Sequence, residues 1–313
     1  MPTLEIDHTV TFESLTPDQQ ARMPNLFLIG AGKCGTTSLH AYLSAHPNIA
    51  GSKEKEPSFF IKQDELREQQ LMESMRPEAS QLDAYLALFD HDPGTAYRME
   101  ASPSYSSYPV FSDVPERIAA ASPNAHIVYL VRNPVDRAIS HYWQDRKILK
   151  ESRPAFEALC EVENIYTYTS DYKRQLDLFS KFFNKIEVIA SEDLRSNPQG
   201  VLSGIYRKLD LPDHQIDESD LRERNTTPTT TRQARHPLLR QLRDTKAWNV
   251  LRRQMPASML QTIRKAAVKD VPKTLEDEEA LRRMLTERFD PMMAAFDASY
   301  GTSLRNKWFD LTD

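Results

Sequence analysis

The stretch "FLIGAGKCGTTSLHAYL", Phe27 to Leu43, concentrates residue types that hold anions. An apolar run ends in Gly30, a loop of Gly32, Lys33, Cys34 and Gly35 follows, and Thr36, Thr37 and Ser38 open a helix-like pattern. A strand, a glycine loop and a helix in that order turn backbone N–H groups and a helix N-terminus toward a negative charge. The three hydroxyls add donors. Gly30 and Gly35 have the spacing of the Walker loop G-x-x-x-x-G-K-[ST], but Thr36 stands where that loop has lysine, and Lys33 lies inside the loop instead. The chain has only eight glycines, and three of them fall within six residues here. An ordinary flexible turn is therefore a poor account of them. A nucleoside triphosphatase also needs a carboxylate on Mg²⁺, yet "HIVYLVRNP" ends its apolar run with Arg132. A cation there calls for a second anion. Arg132 and Ser140 are eight apart, one at a strand end and one two turns into a helix, so both can grip one phosphate at the C-terminal edge of a sheet. The plain alternative is a salt-bridged arginine and a surface serine.

The elements that would position these groups alternate. Strands are expected at "NLFLIG", at Tyr97–Glu100, at His126–Val131 and at "KIEVIA". Helices are expected over Thr37–Ala45, 61–90, from Pro134 onward, over Ser170–Phe183 and over 199–209. Alternation of this kind predicts a parallel β-sheet flanked by helices, an α/β fold of the P-loop type. Residues 1–23 read as a polar lead-in and 24–313 as one domain. Within it, 213–313 is a mostly helical elaboration, with helices near 237–253 and 274–297, the latter broken or kinked at Pro291. Net charge is −5, so wholesale nucleic-acid binding is not expected. Cys34 and Cys160 are the only cysteines and have no metal-ligand spacing, and no run approaches the ~18 apolar residues of a membrane span. The expectation is a cytoplasmic protein with no required metal.

Taken together, "GAGKCGTTSLHAYL" and "VYLVRNPVDRAISHYW" resemble the 5′-phosphosulfate loop and the 3′-phosphate motif of sulfotransferases that use 3′-phosphoadenosine 5′-phosphosulfate (PAPS). "KEPSFF", "EASPSY" and "EDLRSNP" extend the similarity over 24–212, and the nearer branch looks like the heparan sulfate O- and N-sulfotransferases and their bacterial relatives. The resemblance implies that Gly32 to Ser38 hold the phosphosulfate, with Lys33 offsetting charge on the leaving phosphate oxygen. Arg132 and Ser140 would take the 3′-phosphate, and "TRQARHP" offers Arg232 and Arg235 to close the pocket. Glu56 matches the glutamate that acts as general base, with Lys55 beside it toward the acceptor, while Glu54 is expected to face solvent. Many glycan-sulfating relatives have histidine where this chain has Ser58. Glu100 either lines the acceptor cleft or hydrogen-bonds the turn after it. Cys34 is read as packing or backbone geometry.

The implied reaction is direct transfer of a sulfuryl group to a hydroxyl, or with less support an amine, of a glycan, lipid or small molecule. Two rivals remain at this level. A P-loop kinase or nucleotidase would show Mg²⁺-dependent ATP turnover. A non-catalytic nucleotide-binding protein would bind PAPS without turnover. His46 and His141 are the alternative bases.

Overall fold

A computed structural model of the chain describes residues 10–62, 65, 82–89, 95–148, 150–217, 230–234 and 268–309. Its centre is an all-parallel sheet of five strands in the order β2-β3-β1-β4-β5. The strands are β1 (Leu26–Gly30), β2 (Ile49–Gly51), β3 (Tyr97–Ala101), β4 (His126–Val131) and β5 (Ile186–Ala190). Every residue of β1 and all but the first of β4 are buried. That is what a parallel strand covered by helices on both faces requires, and it explains why these two apolar runs stand out in the sequence.

The register sets one functional edge. Leu28 of β1 lies beside Ala101 of β3 and Val128 of β4, and Val131 lies beside Ala190 of β5. The chain passes from β1 outward to β2 and β3, then returns to the other side of β1 as β4. The crevice beyond the C-terminal ends of β1 and β4 is therefore a topological switch point, where such sheets bind ligands.

The helices Pro134–Lys147 and Pro198–Lys208 start by the same device. Asn133 accepts from the amides of Val135 and Asp136 ahead of Pro134, and Asn197 accepts from Gly200 N ahead of Pro198. The Asn side chain satisfies first-turn amides while proline takes the position whose amide has no helical partner. The helix Tyr172–Phe179 buries Tyr172, Leu176 and Phe179, as its spacing predicts, and Phe183 joins them just past its end.

Three features bear on the sequence expectations. The long helix Glu278–Tyr300 runs through Pro291 unbroken. Pro291 and Glu287, whose carbonyl loses its donor, both lie on the exposed face, where water can replace the missing bond. Its apolar stripe, Leu281, Leu285, Phe289, Met293 and Phe296, is buried and packs on the helices Tyr172–Phe179 and Pro134–Lys147. Secondly, the polar stretch after 213 contributes a strand, β6 (Thr230–Ala234), which pairs antiparallel with β7 (Val268–Pro272). Thirdly, of the stretch 61–90 read as helical, residue 65 and Leu82–Leu86 are helical, while 63–64, 66–81 and 90 lie outside the described residues. The helix expected at 237–253 lies outside the described residues. No helix among them is long and apolar enough to cross a membrane.

Candidate active site

The loop after β1 is shaped by backbone that few side chains tolerate. Gly30 has φ 149°, and a Cβ there would sit 2.0 Å from Ser106 Oγ. Gly35 has φ 94° and starts the helix Thr36–Ser44. Lys33 adopts φ 75° with no glycine to ease it. Left-handed backbone at a non-glycine residue costs on the order of 1 kcal/mol or more and persists only where the surroundings hold it. Here the clamp is Arg137. Its guanidinium, 2 % exposed, donates Nε to Gly32 O at 3.1 Å, Nη1 to Tyr166 O at 3.1 Å and Ser170 Oγ at 2.9 Å, and Nη2 to His141 Nδ1 at 3.0 Å.

Lys33 stands among cations. Burial, and then the charges of Lys273, Arg137, Arg132 and Lys147, hold its ammonium below its ordinary range. Among the described residues no carboxylate lies within ion-pair distance of Lys33. Arg132 lies 3.6 Å from Asp136, but that carboxylate is shared with Arg282 at 2.9 Å. Tyr172 Oη fixes the Arg132 backbone by accepting from its amide at 3.3 Å and donating to its carbonyl at 2.6 Å. Ser140 is half-buried on the helix that Arg132 precedes, and the first amides of the helix Thr36–Ser44 start with no intrahelical partner. An anion placed among these groups would relieve their mutual repulsion.

Of the remaining loop residues, Thr36 is buried, Ser38 is half-buried and Thr37 is exposed. The Cys34 side chain points into the core, 4.0 Å from Tyr172 Oη, and burial pushes its thiol up to about 11. It can serve a ligand only through its backbone. Arg232 lies on β6 opposite Asp270 of β7, and Arg235 lies outside the described residues. Arg137, Lys147 and Lys273 were not singled out from sequence. Arg137 stands inside the quoted "VDRAISHYW", but nothing in its spacing marks it as more than a helix-surface arginine. Lys273 follows β7, a strand the polar sequence conceals.

The second loop, Lys55 to Phe60, follows β2 and lies against the end of β3. The Glu56 amide donates to Ala101 O at 3.0 Å, the Ser58 amide to Ser102 Oγ at 3.0 Å and the Phe60 amide to Tyr105 Oη at 3.2 Å. Beneath it Phe59 stacks on Tyr85 with centroids 4.0 Å apart, and Phe60 meets Phe27 edge-on at 5.8 Å. Glu56 has φ 63° and Ser58 φ 54°, so this loop too is held in left-handed backbone. The Glu56 side chain is 54 % exposed and accepts from Lys55 Nζ at 2.5 Å. Glu54 is the half-buried one of the two, contrary to the expectation that it faces solvent. Lys55 also faces the helix of the first loop: burial, then the Lys55 charge, push His40 down to about 4.

Of the two roles open to Glu100, the structure supports the turn. The residue is fully buried, and its carboxylate accepts from Tyr105 Oη at 2.5 Å, from Ser102 Oγ at 2.8 Å and from Tyr85 Oη. It organises the turn rather than lining an acceptor cleft. The alternative histidine bases are likewise internal. His46 is 1 % exposed, takes the Asn48 amide on Nδ1 and faces Pro212 O with Nε2. Burial, then Arg137, push His141 well below its ordinary range, so it is the neutral acceptor of an Arg137 N–H.

Sheet order, switch point and cation cluster define a parallel α/β protein with an electropositive crevice at the carboxyl ends of β1 and β4. The chain belongs to the sulfotransferase family, whose model, described as "Sulfotransferase family", matches residues 24–215. Human heparan sulfate glucosamine 3-O-sulfotransferase 6 is 30% identical over 202 residues, 61% of this chain and 53% of that protein. Human bifunctional heparan sulfate N-deacetylase/N-sulfotransferase 2 is 27% identical over 207 residues, 61% of this chain but only 22% of its own length. The chain thus spans between about a fifth and a half of these relatives. A sulfotransferase from Alicyclobacillus acidocaldarius superposes with TM-score 0.54 at 28% identity, covering 66% of this chain and 87% of that one.

Proposed function

We propose that this chain transfers a sulfuryl group from PAPS to a hydroxyl, or less readily an amine, of a glycan-like acceptor. The observation that carries the proposal is the convergence of Lys33, Arg132, Arg137, Lys147 and Lys273 at a switch point where Lys33 has no carboxylate partner among the described residues. PAPS, when bound, supplies the activated sulfuryl group and a separate 3′-phosphate. Backbone and hydroxyl donors from Gly32 to Ser38 orient the phosphosulfate end, and Arg132 with Ser140 takes the 3′-phosphate. Lys33, held below its ordinary range among cations, meets the incoming anion and stabilises the phosphate oxygen as its bond to sulfur breaks. Glu56 accepts the acceptor's proton as the new O–S bond forms, and the ion pair with Lys55 keeps that carboxylate aimed. The electron pair of the broken S–O bond stays on the phosphate, leaving 3′,5′-bisphosphoadenosine (PAP). Exposure of Glu56 suits a base that must meet a bulky acceptor at the mouth. Ser58, in place of the histidine of many glycan-sulfating relatives, is buried with its hydroxyl 3.3 Å from Ser104 Oγ, so the histidine's acceptor contact has no counterpart here. The test is a screen of oligosaccharides, lipids and simple alcohols with sulfur-labelled PAPS. Label on a hydroxyl compound supports the reading, and ATP turnover with Mg²⁺ and no sulfuryl transfer sinks it.

A further inference from the structure

Glu100 is a fully buried carboxyl that the reaction above does not use. Its contacts have a direction. Ionised, or with a proton only on the oxygen facing Tyr85, its Oε1 is a pure acceptor for Ser102 and Tyr105. Each of those hydroxyls must then spend its single proton on Glu100 and present lone pairs the other way. The amides of Ser58 and Phe60 stand there and donate to them. A third tie, Glu56 N to Ala101 O, comes from the residue next to Glu100. Alternate amides of the loop are thus fastened to one strand end, and Glu56 and Ser58 are kept at φ 63° and 54°. Burial pushes Glu100 up to about 7, and the Tyr85 side can take the proton without disturbing Oε1.

We propose that Glu100 is the positioning residue of the acceptor-side loop: by orienting the Ser102 and Tyr105 hydroxyls it fixes the backbone that holds Glu56 at the mouth. This rests on the reading of Glu56 as base for its consequence in turnover, but not for its structural part.

The experiment is residue-resolved hydrogen exchange on the full chain with PAP present, for wild type, Glu100→Leu, Glu100→Gln, Tyr105→Phe and Ser102→Ala. Losing an oriented acceptor should raise exchange at Ser58 and Phe60 by about tenfold or more, with residues 31–35 unchanged. Glu100→Gln should restore protection, because its amide oxygen can replace Oε1 while its NH₂ faces Tyr85. Tyr105→Phe should free the Phe60 amide alone and Ser102→Ala the Ser58 amide alone; this pair decides if Glu100→Leu does not fold. With an acceptor from the screen, Glu100→Leu should lower kcat with the PAPS KM unchanged, and Glu100→Gln should recover it. Unchanged exchange in Glu100→Leu, a rise spread equally over both loops, or no rescue by glutamine overturns the proposal. Glu56→Gln separates the two readings. If it transfers normally, the base assignment fails while the exchange pattern stands. If it is dead and the exchange pattern is absent, only the positioning role fails.

Discussion

On the donor side the buried ion is Arg137, and on the acceptor side it is Glu100. Both are essentially without solvent contact, and neither meets an opposite charge at hydrogen-bond distance. Arg137 is satisfied by two carbonyls, a hydroxyl and an imidazole, Glu100 by three hydroxyls. Each ion aligns neutral dipoles, and those dipoles or their neighbours hold a loop in left-handed backbone. The difference lies in chemistry at neutral pH. A guanidinium keeps its charge, so the clamp on the loop after β1 is permanent. Glu100, pushed up to about 7, changes protonation where enzymes work. The half that must hold a constant anion is built on a group that cannot titrate. The half proposed to meet the acceptor is built on one that can.

The comparison breaks first if the two halves do not separate in kinetics. Glu56→Gln is expected to have the largest effect, about 10²–10⁴-fold on kcat at saturating PAPS, with PAP affinity by calorimetry unchanged. Glu54→Gln should be mild by comparison, with matched thermal melts to exclude unfolding. If Glu54→Gln is the dead variant, the half-buried carboxylate is the base and the loop has been aligned two residues out. Next comes Lys33→Ala, with a loss of about 10²–10³ in kcat while PAP still binds. A near-normal kcat would make Lys33 a docking charge only. Arg132→Ala should act on binding. Wild type should prefer PAP to 5′-AMP by at least about tenfold, one charge-assisted contact contributing ~1.5–3 kcal/mol, and the variant should lose most of that preference. Equal affinities in wild type would defeat the 3′-phosphate assignment.

The two clamps also differ from what sequence makes visible. β1 and β4 are legible because burial on both faces leaves an unbroken apolar run, and the loop after β1 because its glycines answer local backbone needs at Gly30 and Gly35. β2, three residues long, carries too little pattern to see, and β6 and β7 form from polar sequence by pairing with each other. Pro291 is a poor guide since the exposed face of a helix tolerates it. Arg137 is invisible because its partners are backbone carbonyls that only tertiary structure brings together. Glu100 is visible as a polar residue at a strand end, but the choice between cleft and turn depends on Tyr85, fifteen residues upstream.

The smallest expected effect concerns pH and bears on the comparison directly. Glu100 has an ordinary value of 4.5 in the unfolded chain and about 7 in the folded one, chiefly through burial, with its three hydroxyl donors opposing the rise. Below pH 4.5 both states hold the proton, and the folded protein carries no penalty at this site. Between 4.5 and 7 the unfolded chain releases the proton while the folded one keeps it, so the native state binds more protons and stability falls as pH rises. Above about 7 the loss is complete, at most on the order of 3 kcal/mol for a shift of this size. Glu100→Gln removes this slope. It also leaves one buried N–H without a partner, which lowers stability by an amount that does not depend on pH. The informative quantity is therefore the shape of the difference between wild-type and Glu100→Gln denaturant midpoints from pH 4.5 to 8, not its offset. Wild type should lose its advantage across that window. Arg137→Lys, whose side chain cannot make the four contacts of the guanidinium, should be less stable than wild type by a margin that stays flat over the same range. A sloping difference for Arg137→Lys with a flat one for Glu100→Gln would reverse the assignment of the titrating clamp.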